Sequence, residues 1–202
     1  MVEPLFCNIE DKSTIYRYVS EFFQVCTYFL ICKEKVIIVD PGKLNKEVYS
    51  WLLQFKNLDK IIYITHEHFD HHFDVNYLLS FPKTTIYLPT KEFEEALKNS
   101  RKNLSYYNSN PIETNCCQIS VVNYLEIIAT PGHSEFSYCY IYKNILFGGD
   151  TLIEKKYIVL KLPGSNKKKY EESILKLKNK IEPNFIVMPG HGEYFCFNKW
   201  LI

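Results

Sequence analysis

A mixed α/β (α+β) fold around one hydrophobic core is predicted by three observations. The chain has 202 residues, 47% hydrophobic and 23% charged, a balance that can bury a sizeable interior and does not suit a disordered segment. Short β-branched and aromatic runs outnumber stretches with helical periodicity. The two kinds are interspersed, and no repeat, low-complexity block or Ser- or Gly-rich linker separates them, so residues 1–202 are expected to form a single domain.

Each element follows from its residues. Residues 25–31 and 36–39 read as strands of a hairpin that closes on Asp40-Pro41-Gly42. Val48, Trp51, Leu52 and Phe55 recur at helical spacing and predict an amphipathic helix whose stripe packs on a sheet. Residues 61–64 form a buried-strand pattern that runs into a histidine cluster, and Val75, Leu78 and Leu79 mark a helix beyond it. Next come a strand at 85–88, a helix at 92–98 and a polar loop at 99–115, whose Tyr106 and Tyr107 make it a candidate flap. The second half is expected to hold strands at 119–122, 125–129, 138–142, 145–147 and 185–188. A helix on Tyr170, Ile174, Leu177 and Ile181 precedes the last of these.

Charge and composition exclude several functions. With 24 Lys and Arg against 23 Asp and Glu, the net charge of +1 provides no global field for nucleic acid or an anionic membrane. Residues 22–32, the most apolar stretch, span about half of the ~20 residues a membrane-crossing helix needs and are interrupted by Gln24 and Thr27. Glu3 and Pro4 stand where an export signal would need a basic start and an apolar run. Seven cysteines without a C-x-x-C pair suggest neither a disulfide framework nor a zinc ribbon, and are expected to be buried as small apolar residues. A soluble, cytoplasmic protein is expected.

The histidines carry the functional signal. His66, His68, His71 and His72 fall within seven residues, and the other two of the six, His133 and His191, each follow a Pro-Gly turn. The seven glycines also fall at loop corners, three of whose five sites touch a His or Asp, which points to special backbone angles or close approach there. Neutral imidazole is the commonest metal ligand, and His combined with Asp without Cys suits zinc, iron or manganese. In an extended segment residues 66 and 68 share one side, while Asp70 and His71 turn into the following helix. One short loop can then serve two adjacent metals. His72 reads as a helix-start residue, and Asp40 either as a turn former or as a hydrogen-bond partner of a ligand imidazole or of loop amides.

The run His66-Glu67-His68-Phe69-Asp70-His71, followed by His133, Asp150 and His191, resembles the metallo-β-lactamase superfamily of binuclear metallohydrolases. The resemblance implies a four-layer αββα sandwich, with two mixed sheets face to face, the Trp51 and Tyr170 helices among the outer ones, and the metals at one edge. It implies two zinc ions per chain, iron or manganese being the alternatives. His66, His68 and His133 would hold one, Asp70, His71 and His191 the other, and Asp150 would bridge both together with a hydroxide that acts as nucleophile. Asp70 is also the implied catalytic residue, orienting the hydroxide or carrying a proton to the leaving group.

Within the superfamily the chain looks most like the hydroxyacylglutathione hydrolase (glyoxalase II) group, through Thr130-Pro131-Gly132-His133-Ser134, Gly149-Asp150-Thr151-Leu152, Asn103-Leu104-Ser105 and Leu162-Pro163-Gly164. It departs from that pattern in three places. Phe73-Asp74 replaces a common Gly-Gly, Ile158-Val159-Leu160-Lys161 replaces a Gly-Arg-x-Asp stretch, and the chain ends eleven residues after His191, where that group carries glutathione contacts. The expected activity is therefore hydrolysis of an acyl ester or thioester of a small molecule, with glutathione specificity in question. The alternatives are a lactone hydrolase on the same site and a mononuclear iron oxygenase of the persulfide dioxygenase kind using His66, His133 and Asp150.

Overall fold

The computed structural model describes residues 1–7, 12–115, 118–154 and 158–198. Two sheets face each other. The first has the order β1 (Glu3–Cys7), β2 (Thr14–Val19), β3 (Cys26–Ile31), β4 (Lys35–Val39), β5 (Asp59–Tyr63) and β6 (Thr84–Tyr87). The hairpin-linked pairs from β1 to β4 are antiparallel, and β4–β5 and β5–β6 are parallel because helical crossovers join them. The crossover helices are α1 (Lys46–Leu52) and α2 (Val75–Leu79). α3 (Lys91–Lys98) follows β6 and is capped by the Thr90 hydroxyl, which accepts from the Phe93 amide.

In the second sheet β7 (Glu126–Ala129), β8 (Tyr138–Tyr142) and β9 (Ile145–Gly149) are antiparallel neighbours. α4 (Lys167–Lys180) then carries the chain over to β10 (Ile186–Pro189), parallel to β9, and β11 (Phe195–Cys196) closes the edge.

Strand periodicity sorts the core into layers. Along β8, Tyr138 and Tyr140 point between the sheets, whereas Cys139 and Ile141 face the Ile174–Leu177–Ile181 stripe of α4. Across the interior the Tyr28 and Phe147 rings lie 5.6 Å apart and those of Tyr63 and Tyr140 5.1 Å apart. On the far side of the first sheet Trp51 of α1 packs on Phe29 and Tyr16. The result is the four-layer αββα arrangement, with α1 and α4 on opposite outer faces.

Two tyrosines tie the layers together. Tyr140, from the second sheet, donates its hydroxyl to the Ile64 carbonyl (2.7 Å), immediately before the histidine cluster. Tyr28, from the first sheet, donates to the Pro189 carbonyl (2.8 Å), immediately before Gly190-His191.

Three expectations need correction. The strand expected at 119–122 reduces to one bridge, Ile119 to Ile86, because beyond it Val121 is 93% exposed with no sheet to join. The 99–115 segment holds a short 3-10 turn at Ser105–Tyr107. Cys26 and Cys139 are buried, but Cys32 is only partly so and Cys196 is exposed, since it lies on the edge strand β11. Cys116, Cys117 and the Cys7 side chain lie outside the described residues. Among the described residues no helix is long and apolar enough to cross a membrane.

Candidate metal centre

The site forms where strands of both sheets end at the same edge. β4 gives way to Asp40, 2% exposed and in the left-handed region (φ 50°), a conformation Asp tolerates better than most residues. Its carboxylate accepts from the Thr65 amide and hydroxyl, both at 2.7 Å, and from His71 Nδ1 at 3.0 Å. One buried carboxylate thus fixes the exit of β5 and one imidazole of the loop it feeds. After His68 in extended geometry, a 3-10 turn over Phe69–His71 redirects the chain.

These hydrogen bonds set ring tautomers. The single Thr65 hydroxyl proton goes to Asp40, so its oxygen accepts from His66 Nδ1 (3.1 Å). The Val159 carbonyl can only accept, so His133 Nδ1 is its donor (3.0 Å). In each case Nε2 is left with a bare lone pair aimed inward. Side-chain atoms of His66 (Nε2), His71 (Nε2) and Asp150 (Oδ1) are buried without a hydrogen-bond partner among the described residues, and His68 turns its Nδ1 toward His133 Nε2. Buried polar atoms left unpaired are costly, and their concentration at one point marks a binding site for a cation.

All seven residues expected at the site come together. Three sets place ligand atoms within 4.8 Å of one another: His66, His68 and His133; His66, His71 and Asp150; and Asp70, His71 and His191. Asp150 lies between them, with its oxygens 3.5 Å from His71 Nε2 and 3.6 Å from both His133 Nε2 and His191 Nε2. Those gaps are too long for hydrogen bonds, but a tetrahedral ion with bonds of about 2.1 Å separates its ligand atoms by ~3.4 Å. The donor set therefore fits one or two divalent ions of borderline hardness.

Electrostatics agree with this reading. Burial pushes His68 down to about 3 and, with the neighbouring imidazoles, holds His66 well below its ordinary value. Burial lowers His133 as well. These three rings stay neutral, as ligands must. His71 behaves differently: burial opposes its charge, yet Asp70, Asp40 and Asp150 raise it to about 10. Three carboxylates around one imidazole attract positive charge, whether a proton or a metal. Asp150 is likewise lowered, because His71, His191 and His133 outweigh the effect of its burial.

A cleft of about 490 Å³ opens over His133, Asp150 and His191. Val19, Phe23, Ile153, Ile158 and Val159 give it apolar walls, and Gln24 and Glu193 add polar ones. Phe23 and Gln24 both sit at positive φ (57° and 56°), so the β2–β3 loop bends sharply at the cleft rim. Tyr106 and Tyr107 are not among the lining residues; their loop instead supports the metal loop, with Tyr107 stacked on Phe69 at 5.7 Å and the Asn103 carbonyl accepting from the Phe69 amide. His72 is 1% exposed and follows the 3-10 turn, where its Nε2 donates to the Glu67 carbonyl at 3.1 Å.

The departures at 73–74 and 158–161 have structural roles. Asp74 accepts from the Leu44 amide (2.6 Å) and the Tyr49 hydroxyl (2.5 Å), while Phe73 packs on Phe22. Ile158 and Val159 form cleft wall. Sequence reasoning missed Thr65, Arg17, Glu67 and Ser134. Arg17 pairs with Glu3 and with Glu193, which holds the loop after His191 against the first sheet. Their partners are remote in sequence, and no local pattern marks them.

Comparison with known proteins places this geometry. The chain is 28% identical over 167 residues to a probable polyketide biosynthesis zinc-dependent hydrolase, PksB, of Bacillus subtilis, covering 80% of this chain and 69% of the relative. It is 33% identical over 184 residues to a probable metallo-hydrolase of Methanocaldococcus jannaschii, covering 82% and 86%. A hydroxyacylglutathione hydrolase of Idiomarina loihiensis is 25% identical, and the match spans 83% of this chain but 58% of that enzyme. The crystal structure of the BLEG-1 B3 metallo-beta-lactamase superposes with a TM-score of 0.69 at 24% identity, over 97% of this chain and 94% of that one. The profile of the metallo-beta-lactamase superfamily matches residues 21–191. The chain belongs to the metallo-β-lactamase superfamily.

Proposed function

We propose that this protein hydrolyses an acyl ester or thioester of a small molecule, with two zinc ions per chain. His66, His68 and His133 would hold one, Asp70, His71 and His191 the other, with Asp150 shared. The observation that carries the reading is the convergence of unpartnered, buried imidazole nitrogens with the Asp150 carboxylate at the strand ends of both sheets. Bound there, the ions would supply Lewis acidity toward a carbonyl and nucleophilic water near neutral pH, without a Ser or Cys nucleophile.

The chain's own residues do the rest. Asp70 Oδ2 lies 3.8 Å from His71 Nε2 and 3.6 Å from His191 Nε2, and its side chain is 13% exposed. That position lets it orient a water and pass a proton toward a departing group at the open side. Val19, Phe23, Ile153, Ile158 and Val159 shed water around the reacting carbonyl and suit an apolar acyl portion, in a cleft of small-molecule size. The zinc-dependent and hydroxyacylglutathione hydrolase relatives support the metal and the thioester bond respectively. We place the protein in the cytoplasm, where the buried thiols of Cys26 and Cys139 remain reduced.

The test is metal analysis of freshly purified protein together with a panel of thioester, lactone and persulfide substrates. Two zinc per chain with thioester turnover supports the reading. Lactone turnover alone moves the substrate class, and one iron with oxygen uptake replaces hydrolysis by oxygenation.

A further inference from the structure

Glu67 lies between His66 and His68 in the bend that follows β5. It is 2% exposed, so a carboxylate has been taken out of water directly behind the metal loop. What receives it is the turn that carries His133. The Ser134 hydroxyl donates to Glu67 Oε2 at 2.7 Å, and the neighbouring amides of Glu135 and Phe136 favour its charged form. Ser134 is itself braced, with its amide donating to Ser137 Oγ (3.3 Å) and the two hydroxyls 2.8 Å apart. A second link parallels the first, the Tyr138 amide donating to the Thr65 carbonyl at 2.7 Å.

Burying an acidic side chain is unfavourable unless its oxygens are satisfied, so this placement is specific rather than incidental. The donors come from a segment about 70 residues away in sequence. That segment's histidine must meet His66 and His68, and His133 Nε2 stands 3.1 Å from His68 Nδ1.

Resting on the metal reading above, we propose that Glu67 is a positioning residue whose carboxylate, gripped by the 134–136 turn, holds His133 in register with His66 and His68. It touches no ion and no substrate. It sets the spacing of the ligands on either side of it.

The experiment uses full-length protein stripped of metal, titrated with zinc against a chromophoric chelator and, separately, loaded with cobalt(II) to record its visible absorption. Glu67→Ala is expected to weaken zinc binding about 10–100-fold, the range for residues that orient metal ligands, and to shift the cobalt bands. Glu67→Gln, which keeps an acceptor for the Ser134 hydroxyl, restores most of the affinity. Ser134→Ala weakens binding less than Glu67→Ala, and the double variant is no weaker than Glu67→Ala alone. A folded Glu67→Ala with wild-type zinc affinity and cobalt spectrum overturns the proposal, even if its melting temperature falls. Should Glu67→Ala fail to fold, Ser134→Ala decides, and wild-type affinity and spectrum there overturn it equally. A wild-type chain that takes up no zinc removes both this proposal and the function it rests on, whereas a wild-type chain that binds zinc beside an unaltered variant removes this proposal alone.

Discussion

Replacing Gly190 by Ala tests how tightly the centre is built. An added Cβ would lie 2.6 Å from His71 Cε1 and closer still to Asp150 Oδ1. Ordinary carbon contacts begin near ~3.5 Å, so the imidazole has to retreat by about 1 Å, with Asp150 moving further. His71 is fully buried and the Asp150 side chain is only 13% exposed, so neither has much free room to retreat. Overpacking of this kind costs about 1–3 kcal/mol of stability. The larger effect is functional, because a displacement of ~1 Å in a reacting constellation lowers rates by about 100-fold. Gly148 is the matched control: its Cβ would meet Val187 Cγ1 at 3.3 Å and Leu152 Cβ at 3.4 Å, contacts that call for shifts of only a few tenths of an ångström. Urea denaturation, bound metal per chain and steady-state hydrolysis would be measured on both variants. Gly190→Ala should lose metal and turnover, whereas Gly148→Ala should keep both within a few fold. A Gly190→Ala protein with full metal content and wild-type turnover would refute the packing argument.

Three further outcomes are expected. Asp40→Asn keeps a side chain tolerant of φ 50° but turns one of its acceptors into a donor facing Thr65 or His71; chemical denaturation should show a loss of about 1–3 kcal/mol, and zinc titration a weaker site. Asp150→Ala should abolish metal retention and hydrolysis together while circular dichroism stays native-like, and activity persisting without metal would contradict the proposed chemistry. Chelator treatment should lower the melting temperature as well as the activity, with both restored by zinc; free zinc at 100 times its dissociation constant stabilises by about 2.7 kcal/mol, so unchanged melting would argue against a cation in this cluster.

What could be seen in the residues alone follows from which interactions are local. The α4 stripe of Tyr170, Ile174, Leu177 and Ile181 declares itself because its periodicity is set by one buried face, and the β-branched run before His66 because an interior strand buried on both faces reads as a continuous apolar stretch. The β2 strand was hidden by Arg17, a charged residue in a buried position whose partners Glu3 and Glu193 come from opposite ends of the chain. Conversely, residues 119–122 have good strand propensity but lie past the end of the β6 edge, and propensity without a neighbour makes no ladder. At the site, four ligands stand together in one histidine-rich run, and His133, Asp150 and His191 each directly follow a Gly. The groups that aim those ligands, such as Thr65, Glu67 and the Val159 carbonyl, are common residues made special by what lies across the interior.

The two cross-sheet tyrosines give the sandwich a reciprocal clasp. Each layer reaches through the interior to pin the other at the residue or two before a histidine-bearing bend, so neither half can slide without dragging the imidazoles out of alignment. Assembly of the centre is thereby coupled to docking of the halves. Loosening at either phenol would be felt first as a change in grip on the ion, well before the polypeptide loses its shape.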